Sequence, residues 1–438
     1  MSRPAKTNDQ PRPTSTRHFV LGWLCLAATI AYICRNSIGV AESTIRRELD
    51  ISEETMSWVM SGFFLTYAFG QIPGGWLGNK MGSRKAIPLF AVTWSIATGV
   101  MSLLFAWPML LLARLVNGAA QAGLFPACVN SMSHWFPSSR RAFVSGTLAS
   151  FMSIGGAIGV AITGTLIVSV GWRITFAAYS LLGVIWAAGF YWWFRDFPQQ
   201  HSSVHPLELA LIGSGDAENE DVGCESKATP WLQLYSSLAL WWICGQHFCR
   251  TAGQIFFASW FATYLQETRN VSVAQSGFLN SLPLVAIVLG SFIGGTISDI
   301  VLARSKSRWL ARTGVAVCSM LVCAAFVFCA YFIRQPLLAV LVISLGSFFA
   351  AIGGPCAYSV SIDMGGRHVA IAFATMNMIG NLGAFLFIRL VPNIIEWTGS
   401  WDGVLVLFGA LYLIAAVFWA MLNPNRQILD YSLMGSQR

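Results

Sequence analysis

Four arginines lie inside strongly apolar stretches of the sequence: Arg35, Arg114, Arg250 and Arg389. A guanidinium stays charged in proteins, and placing one in hydrocarbon costs about 3 kcal/mol on insertion scales. Such a residue usually faces an internal cavity and serves a function, although an arginine near the end of a segment can extend to the headgroups. A guanidinium binds a carboxylate or phosphate through two parallel hydrogen bonds, so these residues predict anion chemistry.

The composition is that of a membrane protein. Of the 438 residues, 55% are hydrophobic and only 11% are charged, and the mean hydropathy is +0.60. A soluble domain does not need this much apolar sequence to fill its core. Because a helix needs about 20 apolar residues to cross a bilayer, the sequence predicts an all-α membrane protein with twelve transmembrane helices, at about 19–41, 55–78, 86–107, 109–132, 142–169, 173–194, 233–265, 273–298, 309–333, 336–360, 368–391 and 402–422.

Polar stretches divide these segments into two sets of six. We predict a disordered cytoplasmic tail at 1–18, a six-helix bundle at 19–194, a flexible cytoplasmic linker at 195–230, a second six-helix bundle at 231–422 and a cytoplasmic tail at 423–438. Of the 27 Lys and Arg residues, 18 lie in the termini and loops on one side and five in the loops on the other. This bias predicts that both termini face the cytoplasm of a cell (inner) membrane. The net charge of +8 therefore reflects topology and does not indicate a nucleic-acid partner.

The sequence lacks the usual signatures of an enzyme. Most of the ten cysteines lie in apolar segments, and there is no CxxC motif and no Cys/His cluster. No nucleophile and base, and no phosphate loop, occur at a recognisable spacing. We therefore expect no catalytic residue, no metal and no cofactor.

The two halves resemble each other in sequence order. Arg35 corresponds to Arg250 at an offset of 215 residues, and the turn at 171–173 corresponds to the turn at 399–401 at an offset of 228. An offset that drifts slowly along the chain is typical of a duplicated half with small insertions. In a two-fold arrangement both arginines would face the central axis, where their charges repel each other unless an anion lies between them.

Several motifs resemble a known family. The loop GGWLGNKMGSRK (74–85) is similar to the signature loop of the major facilitator superfamily. FFLTYAFGQIPGG (63–75), RLVNGAAQAGLFPAC (114–128), HWFPSSRRA (134–142) and NMIGNLGAF (377–385) resemble the anion:cation symporter family. That family includes bacterial hexuronate and galactonate permeases and the sialin and vesicular glutamate transporters. The resemblance implies two pseudo-symmetric six-helix bundles around a central site.

The resemblance also implies roles for particular residues. Arg35 and Arg250 fall on the paired substrate arginines of the vesicular glutamate branch, and Tyr67 falls on a substrate-binding tyrosine. The remaining substrate-binding candidates are neutral or weakly basic: Gln121, His247, Gln254, Asn377 and Asn381. The gating candidates lie in or near the signature loop and in its counterpart: Gly75, Asn79, Arg84 and Asp299.

This chain departs from the family pattern at the positions that usually carry protons. Cys34 stands where the bacterial permeases have an aspartate, and Gln121 stands where they have a glutamate. Asn79 replaces the usual aspartate of the signature loop. Because an amide cannot exchange a proton near neutral pH, proton coupling through these positions is in doubt.

We therefore expect a secondary active transporter of a small organic anion, such as a hexuronate, a galactonate or another carboxylate. It would work by alternating access as a monomer in the lipid bilayer, coupled to a proton or to sodium. The sequence leaves open a facilitated anion uniporter, a phosphate transporter and a transporter-like receptor that binds its anion without cycling.

Overall fold

The protein is all-helical throughout the part of the chain that the computed structural model describes, residues 14–213, 231–365 and 369–425. Residues 1–13, 214–230 and 426–438, which belong to the predicted tails and linker, lie outside it. The α-helices are α1 Thr16–Glu48, α2 Glu53–Met81, α3 Ser83–Met101, α4 Trp107–Ala122, α5 Leu124–Trp135, α6 Ser138–Trp193, α7 Pro206–Gly213, α8 Trp231–Ser236, α9 Leu238–Ile255, α10 Phe261–Arg269, α11 Val273–Ser305, α12 Val315–Tyr331, α13 Pro336–Gly365, α14 Val369–Thr398 and α15 Asp402–Ala420.

These helices form twelve membrane spans. Within the described residues, seven stretches are long and apolar enough to cross a membrane, and one of them, Val144–Trp193, has 50 residues and provides two spans. The break between those two is at Gly171, whose φ of 83° favours glycine. The other four spans are α2, α3, the pair α4 and α5, and the pair α9 and α10, which a 3₁₀ turn at Phe256–Ala258 interrupts. The predicted fold of twelve helices in two bundles is confirmed.

The two bundles repeat their turn chemistry. Asp50 (φ 50°) precedes α2 and Asn270 (φ 53°) precedes α11, 220 residues later. Two residues beyond each lies a serine, Ser52 or Ser272, which caps the helix by accepting the backbone N–H three residues on, at 3.1 and 3.3 Å. Equivalent turns at equivalent places support the duplication inferred from the sequence.

Each bundle also ties the end of its first span to the turn before its last span. The indole of Trp172 donates to Glu48 at 2.6 Å, and the indole of Trp401 donates to Glu267 at 3.1 Å. We call the end of the molecule that carries these turns the gate end. The opposite end, which carries residues 195–213, is the linker end.

The bundles contact each other closely at the gate end. Gly39 of α1 lies against the carbonyl of Ala258, and a Cβ at Gly277 of α11 would lie 2.9 Å from the carbonyl oxygen of Val160. Such close backbone approach needs residues without side chains. The gate end is therefore closed in this conformation.

The described first part of the linker packs on the N-terminal bundle. Trp135 donates to the carbonyl of Arg195 at 3.0 Å. The buried carboxylate of Glu208 accepts the backbone N–H groups of Thr16 (3.3 Å) and Arg17 (3.0 Å) at the start of α1. Glu208 thus caps α1 from another helix and complements the positive end of its dipole.

Candidate functional site

Arg35 lies on α1 in a pocket of aromatic rings and is 9% exposed. Its Nε donates to Oε1 of Gln121 at 3.1 Å. Its Cζ lies 4.2 Å from the ring centroid of Tyr32, 4.5 Å from Tyr67 and 4.8 Å from Phe63. Tyr32 was not among the predicted site residues, although its position three residues before Arg35 on one helix places both on the same face.

A buried amide behind this pocket has only one possible orientation. Asn117 of α4 donates through Nδ2 to the carbonyl of Trp94 at 3.2 Å and to Oγ1 of Thr98 at 2.8 Å. The Thr98 hydroxyl itself donates to the Trp94 carbonyl at 2.8 Å. Because a carbonyl only accepts, the amino group of Asn117 must face α3, and its Oδ1 must face Gln121.

The orientation of Gln121 follows from that of Asn117. Its Nε2 donates to Oδ1 of Asn117 at 2.9 Å and to the carbonyl of Ala31 at 3.1 Å. Its Oε1 is thereby turned to accept from Arg35. A carboxylate at position 121 could make neither donation, so this network is built for a neutral amide.

A second guanidinium is buried in the N-terminal bundle. Arg114 is 1% exposed, and its Nη2 reaches the carbonyl of Met60 at 3.5 Å. Its Nε has no hydrogen-bond partner among the residues that the structure describes. Its Cζ lies 4.8 Å from the Phe63 centroid, as does the Cζ of Arg35. Two positive charges therefore flank one phenyl ring.

Arg250 on α9 is the centre of the corresponding cluster in the C-terminal bundle. Its Nη1 donates to Gln254 at 3.3 Å, and its Nη2 lies 3.1 Å from Nδ1 of His247. Since a guanidinium only donates, this Nδ1 accepts, and His247 is neutral with its proton on Nε2. Asn377 lies beside His247, and its backbone carbonyl accepts from Nδ2 of Asn381 at 2.8 Å.

Helix α13 connects the two clusters. A Cβ at Gly354 would lie 3.5 Å from Nη1 of Arg250. One turn later on the same helix, Tyr358 lies near Tyr32, whose ring contacts the Arg35 guanidinium. Tyr358 is 45% exposed. The structure thus groups the eight predicted substrate-binding residues into an Arg35 cluster and an Arg250 cluster that meet along α13.

Neither cluster contains a negative charge among the residues that the structure describes. There, Arg35, Arg114 and Arg250 form no ion pair with Asp or Glu. Four arginines nearer the two ends of the bundles do form such pairs: Arg46, Arg173, Arg312 and Arg389. A buried guanidinium without a carboxylate is costly, so an anion from outside the chain is the natural partner.

Two gating candidates belong to α2. A Cβ at Gly75 would lie in ordinary contact with Pro126, at 3.4 Å. Asn79 is part of the same helix, and its side chain lies outside the described residues.

The other two gating candidates contact their own bundles. The backbone N–H of Arg84 donates to Asp196 at 2.8 Å, and its Nε donates to the carbonyl of Tyr191 at 3.2 Å. Asp299 pairs with Arg312 at 3.3 Å and is otherwise largely exposed. The contacts described for these side chains do not join the two bundles in this conformation.

Comparison with known proteins identifies the family. The sequence matches the family model described as Major Facilitator Superfamily over residues 24–311 and 243–430. The chain belongs to the major facilitator superfamily. It is a multi-pass membrane transporter and not an enzyme.

Two proteins that are similar in sequence to this chain have names that refer to organic anions. The chain is 30% identical over 409 residues to the probable sulfoacetate transporter SauU of Cupriavidus necator, covering 93% of this chain and 94% of the relative. It is 30% identical over 434 residues to the probable galactarate/D-glucarate transporter GudP of Bacillus subtilis, covering 95% and 94%. A solved structure of a bacterial homologue of the human lysosomal transporter Spinster, inward-facing and occupied, matches with a TM-score of 0.72 at 19% identity, covering 94% and 97%, which shows the shared fold.

Proposed function

We propose that this transporter moves a small organic anion across the cell (inner) membrane by alternating access, and that Arg35 and Arg250 bind it from the two bundles. The observation that carries the proposal is the pair of buried guanidiniums at corresponding positions, neither of which contacts a carboxylate of the described chain. The names of the relatives, which refer to sulfoacetate, galactarate and glucarate, support a sugar acid or another carboxylate.

The closed gate end indicates which state of the transport cycle this conformation represents. If the linker end faces the cytoplasm, as the distribution of Lys and Arg favours, this conformation is inward-facing and both termini are cytoplasmic. Without an anion, the positive charges of the two bundles repel each other across the site. An anion between Arg35 and Arg250 removes that repulsion and allows the bundles to close at the linker end and to open at the gate end.

The coupling cation, a proton or sodium, binds elsewhere than at the two usual positions. Gln121 is held as a neutral amide, and Cys34 is a buried thiol. His247 accepts from Arg250 and is neutral while it does so. The same neutrality favours facilitated anion transport without a coupling ion as the second candidate. Each chain contains both halves of the site, so a monomer suffices.

Uptake of labelled anions into proteoliposomes tests the proposal. The panel is glucarate, galactonate, glucuronate, sulfoacetate and phosphate, with proton, sodium and voltage gradients imposed one at a time. Arg35→Ala and Arg250→Ala should both abolish uptake. The matched control is Arg173→Gln, because Arg173 pairs with Glu48 at the gate end within one bundle.

Two outcomes contradict the proposal. Full uptake by either arginine variant would exclude the two-arginine site. Saturable binding without counterflow in any gradient would identify a receptor that does not cycle.

A further inference from the structure

We infer that the substrate is a dianion, with one acid group on the Arg35 cluster and the other on the Arg250 cluster. This inference rests on the proposed function and narrows it to a substrate class. Three features carry it: the charge of each cluster, the neutrality of the groups beside the arginines, and the donors on both sides of the site.

The N-terminal side of the site carries two positive charges. Arg35 and Arg114 lie on the same phenyl ring, each 4.8 Å from its centroid. The group that could neutralise them most directly is residue 121, which contacts Arg35. The two donations that Gln121 makes to Asn117 and Ala31 fix it as a neutral acceptor toward that arginine. No carboxylate of the described residues therefore compensates these charges.

The C-terminal side adds a third positive charge. Arg250 is surrounded by neutral groups, namely the amide of Gln254 and the imidazole of His247. Across the described residues of both clusters there are three guanidiniums and no carboxylate. A monoanion would leave two uncompensated charges in the occluded site, whereas a dianion leaves one. Since burying uncompensated charge opposes closure, closure is more favourable around the dianion.

Donors for an acid group lie on both sides of the site. Gln121 accepts from Nε of Arg35, and the rings of Tyr32 and Tyr67 lie beside the same guanidinium. An acid group can accept there from the guanidinium and from the two tyrosine hydroxyls. Nε of Arg250 has no partner in the described chain. Gly354, next to Arg250, and Tyr358, near Tyr32, are four residues apart on α13, which is a rise of about 6 Å along that helix. A short diacid can place one acid group on each side.

Matched pairs of anions test the inference. Glucarate and gluconate differ only in a carboxylate replaced by a hydroxymethyl group, and so do sulfoacetate and 2-hydroxyethanesulfonate. In proteoliposomes, each compound competes with counterflow of whichever labelled member is taken up. The diacid of the transported pair should compete at a concentration at least tenfold lower than its monoacid partner.

Variants of Arg250 locate the second acid group. Because loss of Arg250 should abolish transport, these variants are compared by equilibrium binding, in which Arg250→Gln should bring the ratio of the two dissociation constants close to one. Arg250→Lys keeps the positive charge and should retain most of the preference for the diacid over the monoacid. A retained preference also shows that a substitution at this position leaves the protein folded. A ratio near one in the unmodified protein, with uptake that still requires Arg35, would overturn the dianion inference and leave the anion transporter intact. If no panel anion is taken up or exchanged, both the proposed function and the inference fail.

Discussion

Gln121→Glu should introduce a pH dependence of substrate binding at the Arg35 cluster. At high pH, the new carboxylate would pair with Arg35 at the place where the amide oxygen now accepts at 3.1 Å. The same carboxylate would face Oδ1 of Asn117 and the Ala31 carbonyl with no hydrogen to donate. At low pH, the protonated carboxyl group of the variant would donate to one of these oxygens and accept from Arg35, much as the glutamine does.

The size of the effect follows from the change in hydrogen bonding. A hydrogen bond to a charged group contributes about 1.5–3 kcal/mol, compared with about 1 kcal/mol for a neutral pair. An Arg35 already neutralised by its own chain should therefore bind the substrate about 1 kcal/mol less tightly, which is roughly a fivefold higher dissociation constant. The loss should be present at high pH and should disappear as pH falls and the introduced carboxylate takes up its proton.

Competition by sulfoacetate between about pH 5.5 and 8.5 measures this, because a sulfonate and an ordinary carboxylate both stay ionised over that range. If sulfoacetate is not a substrate, glucarate serves in the same way. Gln254→Glu is the matched comparison: Gln254 contacts Arg250, and no acceptor that favours a protonated form is described for its amino group. That variant should bind weakly throughout the range. Binding by Gln121→Glu that equals the unmodified protein at every pH, or that tightens as pH rises, would refute the reasoning.

Three further predictions concern the groups around the site and at the two ends. Asn117→Leu removes the acceptor that orients Gln121 and should weaken anion binding roughly tenfold; the same change in a Gln121→Met background should have no further effect, and an equal loss there would contradict the positioning role. Glu267→Gln weakens the ion pair between Arg46 and Glu267, which joins the two bundles. In this variant Arg46 still pairs with Glu42 at 2.9 Å and with Glu53 at 3.2 Å, both in its own bundle. For a partly exposed pair worth about 1 kcal/mol, the open-gate population should rise roughly fivefold, seen as faster labelling of a cysteine at the gate end; unchanged labelling would count against this latch. Glu208→Gln weakens the cap of α1 and should lower stability by about 1 kcal/mol, measured as a lower Tm in detergent, while an unchanged Tm would show that the cap is dispensable.

The sequence was sufficient for the fold and for locating the buried arginines at the centre of the candidate site. Runs of about 20 apolar residues predict spans whatever their neighbours are, and a charged arginine inside such a run stands out for the same reason. The offset between Arg35 and Arg250 then placed them in corresponding halves. Tyr32 was within reach of the same reasoning, because it lies one helical turn before Arg35.

Other features could not be predicted because they depend on how separate helices meet. The orientation of Gln121 is set by Asn117, which is set in turn by a carbonyl and a hydroxyl of α3. Periodicity along one helix carries no information about that chain of contacts. The ion pair at the gate end could not be predicted for the same reason. The sequence pattern places Arg46 in a loop, and its pair with Glu267 forms only because α10 packs next to the end of α1.

The helix boundaries also show the limits of pattern reading. The first span was expected at 19–41, whereas α1 runs from Thr16 to Glu48. Its polar last turns are stabilised by contacts that the hydropathy pattern does not include, such as the pair of Glu42 with Arg46 at 2.9 Å. The seventh span was expected as one segment, and it is interrupted where Phe256–Ala258 forms a 3₁₀ turn against α1.

A double-mutant cycle on the two arginines tests the central claim most directly. Equilibrium binding of the transported anion would be measured for Arg35→Gln, Arg250→Gln and the double variant. If one anion bridges both clusters, each single change should lose nearly as much affinity as the double change, since either one removes the bridge. Losses that simply add, or a single variant that binds as well as the unmodified protein, would show that the two arginines do not bind one substrate.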